Sequence, residues 1–208
     1  MNLAIFGATG TVGSELVSQA LAAGHYLRAL ARDRSKLELD DPRLEIVCGD
    51  VMDTAAVGHT ISGAEAVLST LGATTEDHPH TRRAGIANIL SAMHESDVDR
   101  IVVMGGFHVR VPGEDGNVGQ KLVVPLLHLS RVVVADTTGL GALVLASDLD
   151  WTFVRSPRVV PGGPTGRPRT GTLRLGPWSK ATRGDVAQLM LRCASERVYV
   201  RQAPMVSS

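Results

Sequence analysis

Tyrosine is scarce in this chain: only Tyr26 and Tyr199 occur among 208 residues, and aromatics make up 3%. Neither is followed four positions later by lysine, since Leu30 and Ala203 stand there. That excludes a Tyr-x-x-x-Lys pair, in which an ammonium lowers the pKa of a proton-donating phenol. Lysine itself is found only at Lys36, Lys121 and Lys180, the other 18 of 21 basic residues being arginine. These are balanced by 21 acidic residues, so no basic surplus points to nucleic acid or an anionic membrane. The two cysteines, Cys48 and Cys193, lie far apart in apolar contexts and predict buried, reduced thiols rather than a disulfide framework. No apolar run approaches the ~20 residues of a membrane span. The chain opens directly on a strand-like run instead of a basic and apolar leader, which predicts a cytoplasmic protein.

What is present is an alternation of strands and helices. Short, nearly continuous apolar runs at Leu3–Phe6, Tyr26–Ala31, Leu44–Val47, Ala66–Ser69, Arg100–Met104 and Trp151–Arg155 suit parallel strands covered on both faces. Helices are expected at Thr11–Ala23, Lys36–Leu39, Thr54–Ile61, Thr81–Glu95, Val132–Ser147 and about 183–194. Gly24 suits the residue after a helix end, Asp53 an N-cap, and Asp185 a first turn. The pattern predicts an α/β fold: a Rossmann-like, doubly wound parallel sheet in one domain over residues 1–208. Arg110–Gln120 and Val159–Pro177, rich in glycine and proline, read as loops, the second with at most a short strand at Thr172–Leu175. Residues 158–208 are expected to contribute a small C-terminal substrate-binding lobe.

The most informative segment is Gly7-Ala8-Thr9-Gly10-Thr11-Val12-Gly13, between the first strand and first helix. A glycine turn at a helix N-terminus brings backbone N–H groups and the positive end of the helix dipole to a phosphate. Gly7, Thr9, Gly10, Thr11, Val12 and Gly13 are therefore the candidate diphosphate site. The spacing is Gly-x-x-Gly-x-x-Gly rather than the common Gly-x-Gly-x-x-Gly. At the end of the second strand, where an acid would bind the ribose of NAD, stands Arg32. Guanidinium suits a 2′-phosphate, so NADP(H) is expected in preference to NAD, with Asp33 read as a helix cap. Asp50 and Val51 after the third strand suit the adenine, and Leu71 and Gly72 after the fourth approach the ribose and diphosphate.

With these residues in view the chain resembles the atypical short-chain dehydrogenase/reductases. The closest likeness is to the small NAD(P)H-binding proteins related to NmrA-like regulators and to biliverdin reductase B (flavin reductase). Gly7–Gly13, Arg32-Asp33, Gly49–Asp53, Arg100–Met104, Asp150–Pro157 and Ser179–Leu191 carry the resemblance, which covers nearly the whole chain. It implies that Met104, Gly105 and Pro157 border the nicotinamide. Where many members place a serine after the fifth strand, this chain has Gly105-Gly106, and where biliverdin reductase B has a histidine after the proline, it has Arg158.

Loss of the conventional acid still permits hydride transfer to a flavin, a quinone or another planar conjugated acceptor that takes its proton from solvent. Gly105-Gly106 would clear room for such a ring. Phe107, Trp178 and Phe153 are the candidate stacking groups, Arg158 and His108 the candidate catalytic residues, and Arg158 also a substrate contact. Two alternatives stay open: a non-catalytic NADP(H)-sensing regulator of the NmrA-like kind, and a tailoring enzyme or isomerase acting on polyketide-like rings. His78 and His80 offer a weak metal-like pattern that an exposed loop explains as well, so no metal is expected. Asp136 and Thr137 occupy the helix that usually carries the lysine. A monomer or homodimer with a small-molecule substrate, and neither nucleic acid nor membrane as partner, completes the expectation.

Overall fold

The computed structural model describes residues 1–37, 39–72, 81–109, 111, 131–176 and 178–208. Among them, eight strands form one sheet: β1 (Asn2–Phe6), β2 (Tyr26–Ala31), β3 (Leu44–Cys48), β4 (Ala66–Ser69), β5 (Arg100–Gly106), β6 (Asp150–Ser156), β8 (Arg169–Gly171) and β10 (Met205–Ser207). Their order is β3-β2-β1-β4-β5-β6-β10-β8. The first six run parallel in the doubly wound order, which reverses between β1 and β4. The short strands β7 (Arg158–Val160) and β9 (Lys180–Thr182) pair as a separate parallel ribbon.

Alternation along β1 divides the core. Leu3 and Ile5 face helices α1 (Gly13–Ala22) and α5 (Arg183–Ser195), whereas Ala4 and Phe6 face α2 (Thr54–Ile61), α3 (Thr81–Glu95) and α4 (Arg131–Ala146). Helix α1 buries Leu16, Val17, Ala20 and Leu21 along one stripe. It stops at Gly24, whose φ of 84° lets Gly24 N donate to Leu21 O and His25 N to Ala20 O. Asp53 caps α2 by accepting from the amides of Ala55 and Ala56, and Thr182 caps α5 by accepting from Asp185 N.

Several expectations need correction. The short helix lies at Arg34–Lys36, not Lys36–Leu39, because Asp33 caps it one turn earlier. The strand expected at Thr172–Leu175 lies at Arg169–Gly171, an edge strand whose polar residues carry no apolar signal. Cys48 is exposed, because it ends the outermost strand β3, which has a neighbour on one side only. Cys193 is buried in α5, and burial pushes its thiol up to about 12. Within 158–208, β8 and β10 extend the main sheet and α5 packs on α1, while the β7–β9 ribbon stands apart. The loop expected over Arg110–Gln120 lies outside the described residues except for Val111, as do His78, His80 and Pro177. No described helix is long and apolar enough to cross a membrane.

Candidate functional site

The carboxyl ends of β1 to β6 open into a single cleft of about 730 Å³. Its floor is the glycine turn, where each glycine meets a different constraint. Gly7 has φ 80°, and a Cβ there would sit 2.8 Å from the Thr70 carbonyl carbon. Gly10 donates its N–H to Gly7 O at 3.0 Å to close the turn. Gly13 does not line the cleft; a Cβ on it would lie 2.0 Å from Gly7 O, so its absence lets α1 start directly against the turn. Thr9, Thr11 and Val12 line the cleft beside Gly7 and Gly10. The first N–H groups of a helix have no intrahelical partner, so this cradle fits an anionic diphosphate.

On the β2–β3 side the wall holds Arg32 and Lys36. Asp33 points its carboxylate elsewhere: Oδ1 accepts from Ser35 N at 3.0 Å and Ser35 Oγ at 2.7 Å, and these bonds hold its pKa below the usual carboxylate range. Asp50 and Val51 line the cleft after β3. Val51 is wedged against α3, where a Cβ on Gly85 would come within 2.6 Å of its Cγ1, and its carbonyl accepts from Asn88 Nδ2. Thr70, Leu71 and Gly72 follow at the end of β4.

The far end is formed by Met104, Gly105 and Gly106 from β5, by Ser156 at the end of β6, and by Pro157 and Val159 beyond it. Here the structure corrects the expectation that Gly105-Gly106 clears room for substrate. A Cβ on Gly105 would lie 2.2 Å from the Phe153 ring and one on Gly106 would lie 2.4 Å from the His108 ring. The protein's own rings fill that room. Phe153 is fully buried in the core and is no stacking surface. Phe107 sits outside the lining, its ring edge-on to His108 at 6.3 Å and 82°. Arg158 is exposed on β7 and Trp178 is 90% exposed, and neither lines the cleft. Of the catalytic candidates only His108 reaches the wall; burial first, and then the nearby charge of Arg82, lowers its pKa.

Ser156, Thr137 and Arg82 are among the wall residues with no role assigned from sequence. Ser156 is paired in register with Gly106, and Thr137 and Arg82 project from α4 and α3. Arg82 had one available signal: a cation in a first turn that contains no acid opposes the helix dipole. Asp136, in the helix that usually carries the lysine, accepts from Arg82 Nε at 2.6 Å. Neither tyrosine lines the cleft; Tyr26 is exposed and Tyr199 Oη bonds Thr170 Oγ1.

A profile of NAD(P)H-binding proteins matches residues 7–197. The chain belongs to the NAD(P)H-binding family. Over 107 residues it is 32% identical to YwnB of Bacillus subtilis, which is 51% of this chain and 47% of that protein. Over 108 residues it is 30% identical to Rv2047c of Mycobacterium tuberculosis, which is 52% of this chain and 12% of that longer protein. The match thus spans less than half the length of these relatives. Among solved structures, a short-chain dehydrogenase/reductase (wide type) of Veillonella parvula in complex with NADP superposes with a TM-score of 0.80 at 15% identity, covering 100% of this chain and 94% of that one. ChuY, an anaerobillin reductase of Escherichia coli O157:H7, gives 0.78 at 17% identity over 99% and 96%. A Streptococcus pneumoniae protein described as a candidate NADH-flavin reductase gives 0.78 at 19% over 100% and 99%. At such identities the likeness carries the fold, and all three share the Rossmann-like architecture.

Proposed function

We propose that this NAD(P)H-binding protein is an NADPH-dependent reductase of a flavin, quinone or similar planar conjugated acceptor, working without a Tyr–Lys dyad. The observation that carries the reading is the continuity of the cleft. It runs from the glycine turn past Met104 and Pro157 to a wall of His108, Thr137, Leu140 and Val159, with no tyrosine along it. A bound NADPH supplies a hydride. Gly7, Thr9, Gly10, Thr11 and Val12 would hold its diphosphate, Arg32 and Lys36 its 2′-phosphate, Asp50 and Val51 its adenine end, and Met104, Gly105 and Pro157 its nicotinamide end. Asp33 turns its Oδ1 to Ser35 N and Ser35 Oγ, which supports leaving the 2′-phosphate to Arg32 and so NADP(H) over NAD.

A ketone reduced to an alkoxide demands a proton at once, whereas a quinone or flavin disperses the incoming charge and collects its proton from water. A cleft that positions but does not protonate therefore suits the second class. The fold is shared with ChuY and with the candidate NADH-flavin reductase, proteins named for reduction of this kind. Anaerobic mixing with NADPH and either FMN or a simple quinone tests the reading through the reduced-nicotinamide absorbance. Steady oxidation above the protein-free control is expected. Tight NADPH binding with no turnover on any acceptor would instead favour a cofactor sensor.

A further inference from the structure

The substrate end of the cleft contains a built polar group. Arg82 lines it with its side chain only 11% exposed, and donates through Nε to Asp136 Oδ2 at 2.6 Å. Asp136, still more buried, uses its other oxygen to accept from Arg83 N at 3.3 Å. A bond through Nε fixes the plane of the guanidinium fork. His108 shares the same wall, and its Nε2 is buried with no hydrogen-bond partner among the described residues. An orphaned polar atom in a cleft wall marks a place where a ligand atom is needed.

Charge decides which ligand atom. Arg82 is ion-paired with Asp136, and burial together with the charge of Arg82 disfavours the cationic form of the His108 ring, whose neutral form keeps one N–H to donate. The wall therefore has oriented donors and little net charge. That suits an oxygen that is neutral in the bound acceptor and becomes negative as hydride arrives, better than a substituent already anionic.

Building on the reductase reading, we propose that Arg82 and His108 form a receiving site for the carbonyl oxygen of a conjugated acceptor, with Asp136 as the positioning residue. In the reaction the hydride of NADPH bonds to the acceptor and the carbonyl π pair moves onto its oxygen. A proton from solvent then completes the change, so NADPH, quinone and H⁺ give NADP⁺ and hydroquinone.

A chromophoric phenol, 4-nitrophenol, mimics the charged oxygen and reports its own ionisation by absorbance. With the NADP⁺-saturated protein, its bound pKa is expected to fall by about one unit, a tenfold change in ionisation. The double variant Arg82→Met/Asp136→Leu removes the pair together and so leaves no lone buried charge to unfold the chain. It is expected to abolish the shift while leaving NADP⁺ affinity within about twofold, and His108→Phe to abolish part of it. Asp136→Asn, which keeps the volume but frees the guanidinium, is expected to reduce the shift, which a purely structural role would not do. An unaltered shift in the double variant, or a wild-type protein that fails to bind or shift the phenol, overturns the proposal. A normal shift without reduction of any acceptor leaves the receiving site standing and removes the reductase reading. Reduction that proceeds with no shift does the reverse.

Discussion

At the end of β2, Arg32 and Lys36 put two cations on the cleft wall at the position where a carboxylate would bind a ribose 2′-hydroxyl. Their separate weights can be measured by nicotinamide fluorescence titration. Arg32→Glu is expected to weaken NADPH binding about tenfold more than NADH binding, a difference of about 1.4 kcal/mol. Equal losses for both would place the 2′-phosphate elsewhere. The place of Arg32 on the cleft wall was legible because strand ends in this fold have known duties. Arg82 was not, since its importance depends on Asp136, 54 positions later, and on a helix–helix contact that no local pattern announces. The pair Gly105-Gly106 misled for a related reason: small residues do leave room, but whether substrate or a neighbouring ring occupies it is a tertiary fact.

Among the elements, the six parallel strands were legible because burial on both faces writes them as continuous apolar runs. The strands β7 to β10 were not, being three residues each and partly polar. Two side chains join these late elements to the rest. Arg155 is fully buried in β6 and donates to Ala203 O through Nε and Nη2 and to Val109 O through Nη1. It thereby ties the approach to β10 to the residue that follows His108. Arg155→Met is expected to cost about 3 kcal/mol in denaturant unfolding, because it leaves buried carbonyls without donors; an unchanged midpoint would refute this clasp. Asp185, fully buried in the first turn of α5, holds Thr165 and Ser208. Burial raises its pKa, but the bonds from Ser208, Thr165 and Thr182 outweigh it and leave the carboxyl below its ordinary value of 3.8. A lowered folded pKa contributes stability above that ordinary value and loses it as pH falls through the folded one. The gap in melting temperature between wild type and Asp185→Asn is therefore expected to be full at neutral pH and to narrow as the pH falls below 3.8 and through the folded pKa. A gap that is the same at both ends would show that the charge does not matter.

For the whole molecule, the strand order reverses between β1 and β4, and the helices that follow these strands diverge to opposite faces of the sheet. A crevice at that point is a consequence of topology, and the glycine turn lies in it. Fold class and cofactor family were accordingly readable from the order of elements and one heptapeptide. The chemistry was less so: on the proposed reading, a reductase that leaves protonation to solvent would carry few residue signatures beyond the shape of its cleft. The most direct measurement is anaerobic quinone or FMN reduction with NADPH deuterated at one or the other C4 position. Stereospecific transfer predicts a primary isotope effect, of about two- to fourfold if transfer limits the rate, with only one of the two labels. Saturable NADPH binding, with acceptor reduction no faster than in the protein-free solution for either label, would contradict the account.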